Sequence, residues 1–232
     1  MWNGRKKAVT FSYDDGVIFD RKLVEIFNRY GMKCTFNLNS GLMSGASTWD
    51  FMGTEVRRMN CSGLPELYRG HEIAVHCLTH ADLTKYDDET IINEIMTDKD
   101  NLERMFDCKI EGMAYPYGTF NDHIAEIIRK CGLNYARTTM TTEGAAVPSD
   151  LLRLKASCHH RDEKTLEYVK SFIEFDASES DEPLMLYIWG HSYEFEGNGN
   201  WELIEEICSM LSGRDDIFYG TNSEVLRPFY GK

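Results

Sequence analysis

The sequence has 232 residues, 42% of them hydrophobic and 27% charged, which is enough for one sizeable domain with a packed core. A net charge of −13 at pH 7 disfavours nucleic acid and anionic membrane as partners, since both want a basic face, and suits a neutral polymer or a small molecule. No run is apolar and long enough to span a bilayer.

The basic start "MWNGRKK" leads into a strand-like "AVTFSY" and not into an apolar signal core, so a cytoplasmic protein is expected. The seven cysteines are scattered and form no CxxC pair, which predicts reduced, mostly buried thiols and neither a zinc knuckle nor a thioredoxin-type motif. "KAVTFSY" is β-branched and aromatic, hence a strand. "DRKLVEIFNRYG" puts Leu23, Ile26, Phe27 and Tyr30 on one helical face, with Gly31 as a C-terminal cap. "KCTFNLN" and "HEIAVH" read as strands, with the long connection 40–70 before the second. Connections of that length are usually functional, so a lid and a surface insertion with short helices of its own are equally expected. "DDETIINEIMTDKDNLERMF" is a long helix, "EGMAYPYG" a short strand ending in a Pro-Gly break, and "NDHIAEIIRKCG" a helix closed by Gly132. "LNYART", "LLRLKAS", "LMLYIWG" and "DIFYGT" supply further strands, and "DEKTLEYVKSFIEF" and "NWELIEEICSMLSG" the helices before the last two.

Alternation of strand and helix from end to end predicts an α/β protein with a mainly parallel sheet, and its strand number fits one barrel better than two domains. In such folds sites form at the carboxyl ends of the strands. There the sequence places Asp14 and Asp15, then His76 with His80 in "HCLTH", then "AYPYG", then His191 in "WGHSYEF". Each signal is weak alone. A His-x3-His spacing is more often incidental, and Asp-Gly is common in hairpin turns. A helix, not a second strand, follows Gly16, so the hairpin reading fails; a helix cap would explain only one of the two acids. Two imidazoles and a carboxylate make an open metal site, and the second carboxylate is then free to face a water.

Together the segments resemble the polysaccharide deacetylases, the NodB-homology carbohydrate esterases. "FSYDDG" resembles their T-F-D-D-G motif, "HCLTH" their H-S/T-x-x-H, "AYPYG" their R-x-P-Y and "YIWGHS" their final L-x-x-H-S, in that order and across residues 11–192. The resemblance implies an irregular (β/α)7 barrel spanning residues 1–232. It implies a divalent ion, zinc first with cobalt or nickel as alternatives, held by Asp15, His76 and His80. Asp14 becomes the general base, His191 the general acid, and Tyr117 the donor of a backbone N–H to the oxyanion. Tyr115, Pro116 and Trp189 are expected to line the cleft for an acetylated saccharide. The implied reaction is removal of N- or O-linked acetyl groups. The alternatives are hydrolysis of a ureide or cyclic imide on the same fold, or a carbohydrate-binding homologue with impaired catalysis.

The sequence departs from the pattern at three places. Ala114 stands where the motif has arginine; Arg137 and Arg153 are candidate replacements, although a solvated strand-end position is the favoured reading of both. No segment matches the Asp-Trp motif that tunes the acidic histidine; His159, His160 and Asp162 in "SCHHRD" are candidate substitutes, with ordinary surface polarity the favoured reading, and Glu194 is a candidate contact of that histidine, with a solvated loop acid the default reading. Ser12 and Tyr13 replace the usual threonine-phenylalanine pairing, at positions expected to pack the strand.

Overall fold

The computed structural model describes residues 1–177 and 182–231. In chain order the elements are β1 (Lys7–Asp14), α1 (Asp20–Tyr30), β2 (Cys34–Leu38), β3 (Thr48–Phe51), β4 (Thr54–Arg57), α2 (Leu64–Leu67), β5 (Glu72–Val75), α3 (Asp88–Phe106), β6 (Gly112–Ala114), α4 (Asp122–Lys130), β7 (Tyr135–Thr141), β8 (Leu154–Ala156), β9 (Cys158–His159), α5 (Thr165–Glu174), β10 (Leu184–Gly190), α6 (Ser192–Asn198), α7 (Trp201–Leu211), β11 (Ile217–Tyr219) and α8 (Asn222–Leu226). Every residue of β1 is buried, as expected of a central strand covered on both faces. Helix α1 buries Leu23, Val24, Ile26 and Phe27 and stops at Gly31, whose φ of 68° only glycine adopts without strain. Among the described residues no helix is long and apolar enough to cross a membrane.

The main sheet runs β8-β7-β6-β5-β2-β1-β10-β9, with every pairing parallel. Its two outer strands are consecutive in the chain. Only Ser157 separates β8 from β9, and its N–H donates to the Tyr187 carbonyl at 2.7 Å. The segment therefore pairs with β7 along one edge and with β10 along the other, and the sheet turns back on itself as the irregular barrel that the alternation predicts. Counting β8 and β9 as one position leaves seven in the ring, and β11 is extra: it lies along Lys7–Val9 of β1, below the point where β2 begins to pair at Phe11.

Successive residues of β1 serve opposite faces. Val9, Phe11 and Tyr13 join the large core beneath the helices, while Ala8 joins a second cluster with Tyr135, Leu154, Ala156, Met185, Tyr187 and Trp189 inside the barrel. On that inner face a column of polar groups rises through the ring. Thr10 donates to Asn222, the first residue of α8, and Asn222 donates to the Tyr187 hydroxyl at 2.7 Å. Higher up, the Asn37 amide donates to Ser12 Oγ at 2.8 Å and to Asp14 Oδ1 at 2.7 Å. Ser12 is thus part of the interior column, and only Tyr13 packs outward.

Three elements differ from the sequence reading. The 40–70 segment contains a β3–β4 hairpin closed by Met52 and Gly53, both at positive φ (53° and 81°), besides the short helix α2. The residues after His191, read as a loop, form α6, with Gly197 of that helix packed against Phe51 of the hairpin. Helix α8, unread in the sequence, is capped by reciprocal bonds between Thr221 and Glu224 and closes the bottom of the barrel.

Candidate active site

The acidic pair sits where β1 gives out. Asp14 is its last residue; Asp15 and Gly16 follow at φ of 84° and 63°, so the chain turns sharply and both carboxylates stay at the rim, 3% and 6% exposed. A side chain at position 16 would also press on Leu38, its Cβ 2.9 Å from Cδ2. Phe19 is the cap of α1, so neither acid serves that helix.

Asp14 is gripped from two sides. Oδ1 accepts from Asn37, and Oδ2 accepts from Arg137 Nη2. Arg137 corrects the sequence reading: it is 1% exposed, its guanidinium lies 4.4 Å from the Trp189 ring, and it pairs directly with Ala114 in the β6–β7 register. The cation absent from position 114 is supplied by the adjacent strand. Arg153 remains at the surface, bonded to Asp122 and Asp150. Burial pushes the Asp14 carboxyl up, but Arg137, His76 and His191 outweigh it and bring its pKa to about 2, so it is ionised.

Asp15, His76 and His80 each present a ligand atom, and these atoms all lie within 4.8 Å of one another. The "HCLTH" loop achieves this with two left-handed residues, Cys77 at φ 62° and His80 at φ 58°. Such backbone persists only where surroundings enforce it. Asn39 donates to the carbonyls of His76 and Cys77, Thr79 donates twice to Glu94 at 2.8 Å, and Asp98 accepts the N–H groups of His76 and Ser40. His76 Nδ1 lies 2.8 Å from the Ala114 carbonyl. That bond requires the Nδ1–H tautomer and leaves the Nε2 lone pair to face Asp14 and Asp15, the arrangement typical of a metal-binding histidine. Burial lowers the pKa of both imidazoles, His80 to about 4, which keeps them in the neutral form that ligates. The donor set fits a divalent ion. One further contact is unforeseen: Arg58, from the end of the hairpin, donates to Asp15 Oδ1 at 2.6 Å and lies 4.8 Å above the Trp49 ring.

His191 is the cap of α6, with Nε2 3.9 Å from Asp14 Oδ2 and 4.0 Å from Asp15 Oδ2. Its N–H donates to Glu194 Oε2 at 3.1 Å, and Nδ1 stands 3.4 Å from the same oxygen. Burial alone would lower the His191 pKa; Glu194, Asp15 and Asp14 overcome this and raise it to about 9. Glu194 is a buried partner of the histidine and not a solvated loop acid. Its signal was present in the sequence, because an acid three residues after a cap is the capping-box spacing, with His191 in place of serine. His160, read as a surface residue, is 1% exposed and stacked between Tyr13 and Phe195; His159 is half-buried, and Asp162 accepts its N–H.

The residues of "AYPYG" divide. Tyr117 sits at φ 59° with its side chain 65% exposed and its ring 4.6 Å from that of His80. The hydrogen bonds of its turn run from Gly118 to Tyr115 and from Thr119 to Pro116. Tyr115 does not line a cleft: it is 1% exposed, donates to the Leu152 carbonyl and stacks on Phe120. Pro116 is buried with it. Trp189 is 7% exposed beneath Arg137, so its ring supports the rim from below and does not face a ligand. Trp201 packs on Phe195. The partly exposed rings at the mouth are instead Tyr193, Trp49 and Phe51, with Tyr193 edge-on to the other two at 5.5 and 5.1 Å.

A family model described as polysaccharide deacetylase matches residues 3–136. The chain belongs to the polysaccharide deacetylase family. The match includes the acidic pair and the histidine pair and stops just before Arg137, well short of His191. No curated protein matches significantly. Among solved structures, the Xyl-CE4 domain of a multidomain xylanase from the hindgut metagenome of Trinervitermes trinervoides is 17% identical, with a TM-score of 0.59 over 96% of this chain and 91% of that one. A family 4 carbohydrate esterase from Streptomyces lividans, in complex with acetate, is 15% identical with a TM-score of 0.59 over 96% of each chain. The Streptococcus pyogenes deacetylase PplD, also in complex with acetate, is 24% identical with a TM-score of 0.54; the match covers 62% of this chain and only 61% of that one. These likenesses establish the shared α/β barrel architecture.

Proposed function

We propose that this family member is a metal-dependent hydrolase that removes acetyl groups, N- or O-linked, from a carbohydrate. The reading is carried by one juxtaposition: an ionised carboxylate, Asp14, and an imidazole of raised pKa, His191, both face the group formed by Asp15, His76 and His80. Zinc is the first expectation for that group, and cobalt and nickel suit the same donors. A divalent ion held there supplies Lewis acidity and lowers the pKa of water to about 7.

The remaining roles fall to the chain itself. Asp14, fixed by Asn37 and Arg137, accepts the proton of the attacking water. His191, protonated at neutral pH through Glu194 and the two aspartates, gives a proton to the departing amine or alcohol. Tyr117, on its left-handed turn beside His80, offers its backbone N–H to the developing oxyanion, a type of donor whose loss typically costs about 10²–10³ in rate. Tyr193, Trp49 and Phe51 form an aromatic wall against which a sugar face can stack.

The test is acetate release from acetylated chitooligosaccharide, xylan and peptidoglycan fragments, with the chain and its Asp14→Asn variant loaded with zinc. Asp14→Asn should lower the rate by about 10²–10⁴ on whichever substrate is used. Equal rates for the two proteins would discard the mechanism.

A further inference from the structure

Glu194 gathers more imidazole than one carboxylate can bond. Its Oε2 lies 3.1 Å from His159 Nε2, 3.4 Å from His160 Nε2 and 3.4 Å from His191 Nδ1, and it already accepts the His191 backbone N–H at 3.1 Å. A carboxylate oxygen has two lone pairs, so after the backbone bond it has room for one imidazole donor at most. At least two ring nitrogens must then face the oxygen with no proton to share. The consequence is visible in His160, whose side chain is 0% exposed and whose two ring nitrogens both lack a hydrogen-bond partner; His191 Nδ1 lacks one as well. Buried polar atoms are rarely left so.

Lone pairs of imidazole and carboxylate converging on one point are the donor set of a transition-metal cation. The spacing agrees. In a tetrahedral site with bonds of about 2.0–2.1 Å, neighbouring ligand atoms stand about 3.3 Å apart. The ligand atoms of His159, His191 and Glu194 all lie within 4.8 Å of one another, and the carboxylate oxygen is 3.1 and 3.4 Å from the two nitrogens. Arg161 holds the other oxygen, Oε1, at 3.1 Å and so keeps Oε2 turned inward. The side chains of His159 and His191 are 16% and 21% exposed, which leaves an entry.

We propose that His159 Nε2, His191 Nδ1 and Glu194 Oε2 bind a second divalent transition-metal cation, with His160 Nε2 beneath it, and that this ion inhibits the enzyme. The ion takes the position of the proton on His191 Nδ1 and neutralises Glu194, and one proton is released. His191 then keeps only the Nε2–H of a neutral imidazole, a far weaker acid than the imidazolium, and gives its proton to the leaving group poorly. Binding stands on the geometry alone; the inhibition rests on the acid role proposed for His191.

Chelator-stripped protein is titrated with zinc chloride by calorimetry, and bound zinc is counted by mass spectrometry after gel filtration. The chain should take up two ions, His159→Ala one, and the His76→Ala/His80→Ala pair one. The second ion should be lost once His159 is gone, and His159→Asn should give the same loss if the alanine variant proves unstable. Excess zinc should slow acetate release by the unaltered chain about tenfold and leave His159→Ala unaffected. Stoichiometry that stops at one ion in excess zinc, or a second ion retained by both His159 variants, overturns the site. A second ion that leaves acetate release unchanged overturns the inhibition. Two ions with no acetate release at any loading supports this site and defeats the hydrolase reading instead.

Discussion

Arg137 and Glu194 answer the two absences that the motif pattern left. At position 114 the sequence displays a hole, and it also displays the arginine that fills it, but not the register that sets one beside the other. Ala114 and Arg137 are 23 positions apart and meet only because β6 and β7 pair. A guanidinium buried at 1% exposure against Asp14 holds that carboxylate, the proposed base, in place and keeps it ionised. Arg137→Ala should therefore lower kcat by about 10²-fold and move the acidic limb of the pH–rate profile upward, since the attraction that offsets Asp14 burial is gone. Because Gly112 and Ala114 lie on the same face of β6 as the interior Tyr135 ring, an arginine at 114 projects into the same space. Ala114→Arg added to Arg137→Ala should recover part of the rate; no recovery in a folded double variant would mean that Arg137 acts by something other than its charge beside Asp14. Glu194 has the complementary task. Glu194→Gln removes the anion that does most to raise the His191 pKa, so the alkaline limb should move to lower pH and the rate at pH 8 should fall by about tenfold with KM little changed. A limb that stays in place would assign it to another group.

At the scale of elements, the strands and long helices were legible because each carries its own periodicity, and the misses lie where an element is stabilised from outside. The hairpin's strands are "TWDF" and "TEVR", separated by the two-residue turn Met52-Gly53. Only the glycine of that turn is a common signal, so the 40–70 segment was read without a hairpin. Its place over the site is tertiary: Arg58 reaches Asp15, Met59 N–H donates to the Gly16 carbonyl, and Tyr193 sits between Trp49 and His191. The segment has both the short helix expected of an insertion and contacts at the mouth. Gly197 tests the seam. A Cβ at 197 would lie 2.5 Å from Phe51 Cδ1 and 3.2 Å from the Phe51 carbonyl, so Gly197→Ala has to push the hairpin off α6. Expected are a loss of about 1–3 kcal/mol in urea unfolding and a raised KM for the saccharide, with kcat changing less. An alanine variant of unchanged stability and KM would show that the hairpin does not rest on this helix in solution.

For the whole molecule, the alternation of strands and helices announced the barrel, but its interior could not be read, because strands buried on both faces lose the period of two that separates inside from outside. Polar groups are also buried between the ring and its helices, and the acids among them make stability depend on pH. Asp20, fully buried at the start of α1, accepts from Tyr68 and Ser192. Burial raises its pKa from 3.8 to about 7; those two bonds oppose the rise, and Asp15 and Asp14 add to it. Between these values the folded chain holds the Asp20 proton and the unfolded chain does not. The folded state binds more protons, so this group's contribution is full below about pH 4, declines as pH rises to about 7 and is flat beyond, by up to about 4 kcal/mol. His71 and His80 work the other way: burial first, with Lys33 and His76 adding, lowers each to about 4, so their contribution grows as pH rises toward 6.5. The total curve mixes the two signs, and the difference between the unaltered chain and Asp20→Asn isolates one. Asparagine stays neutral and can keep both contacts, so the variant should gain stability relative to the unaltered chain as pH rises from 5 to 8, by a few kcal/mol in urea unfolding. A difference that stays constant across that range would mean that Asp20 is already ionised in the folded protein at pH 5, and that the buried contact of Asp20 with Ser192 and Tyr68 carries a charge which the packing of α1 and α6 must neutralise by other means.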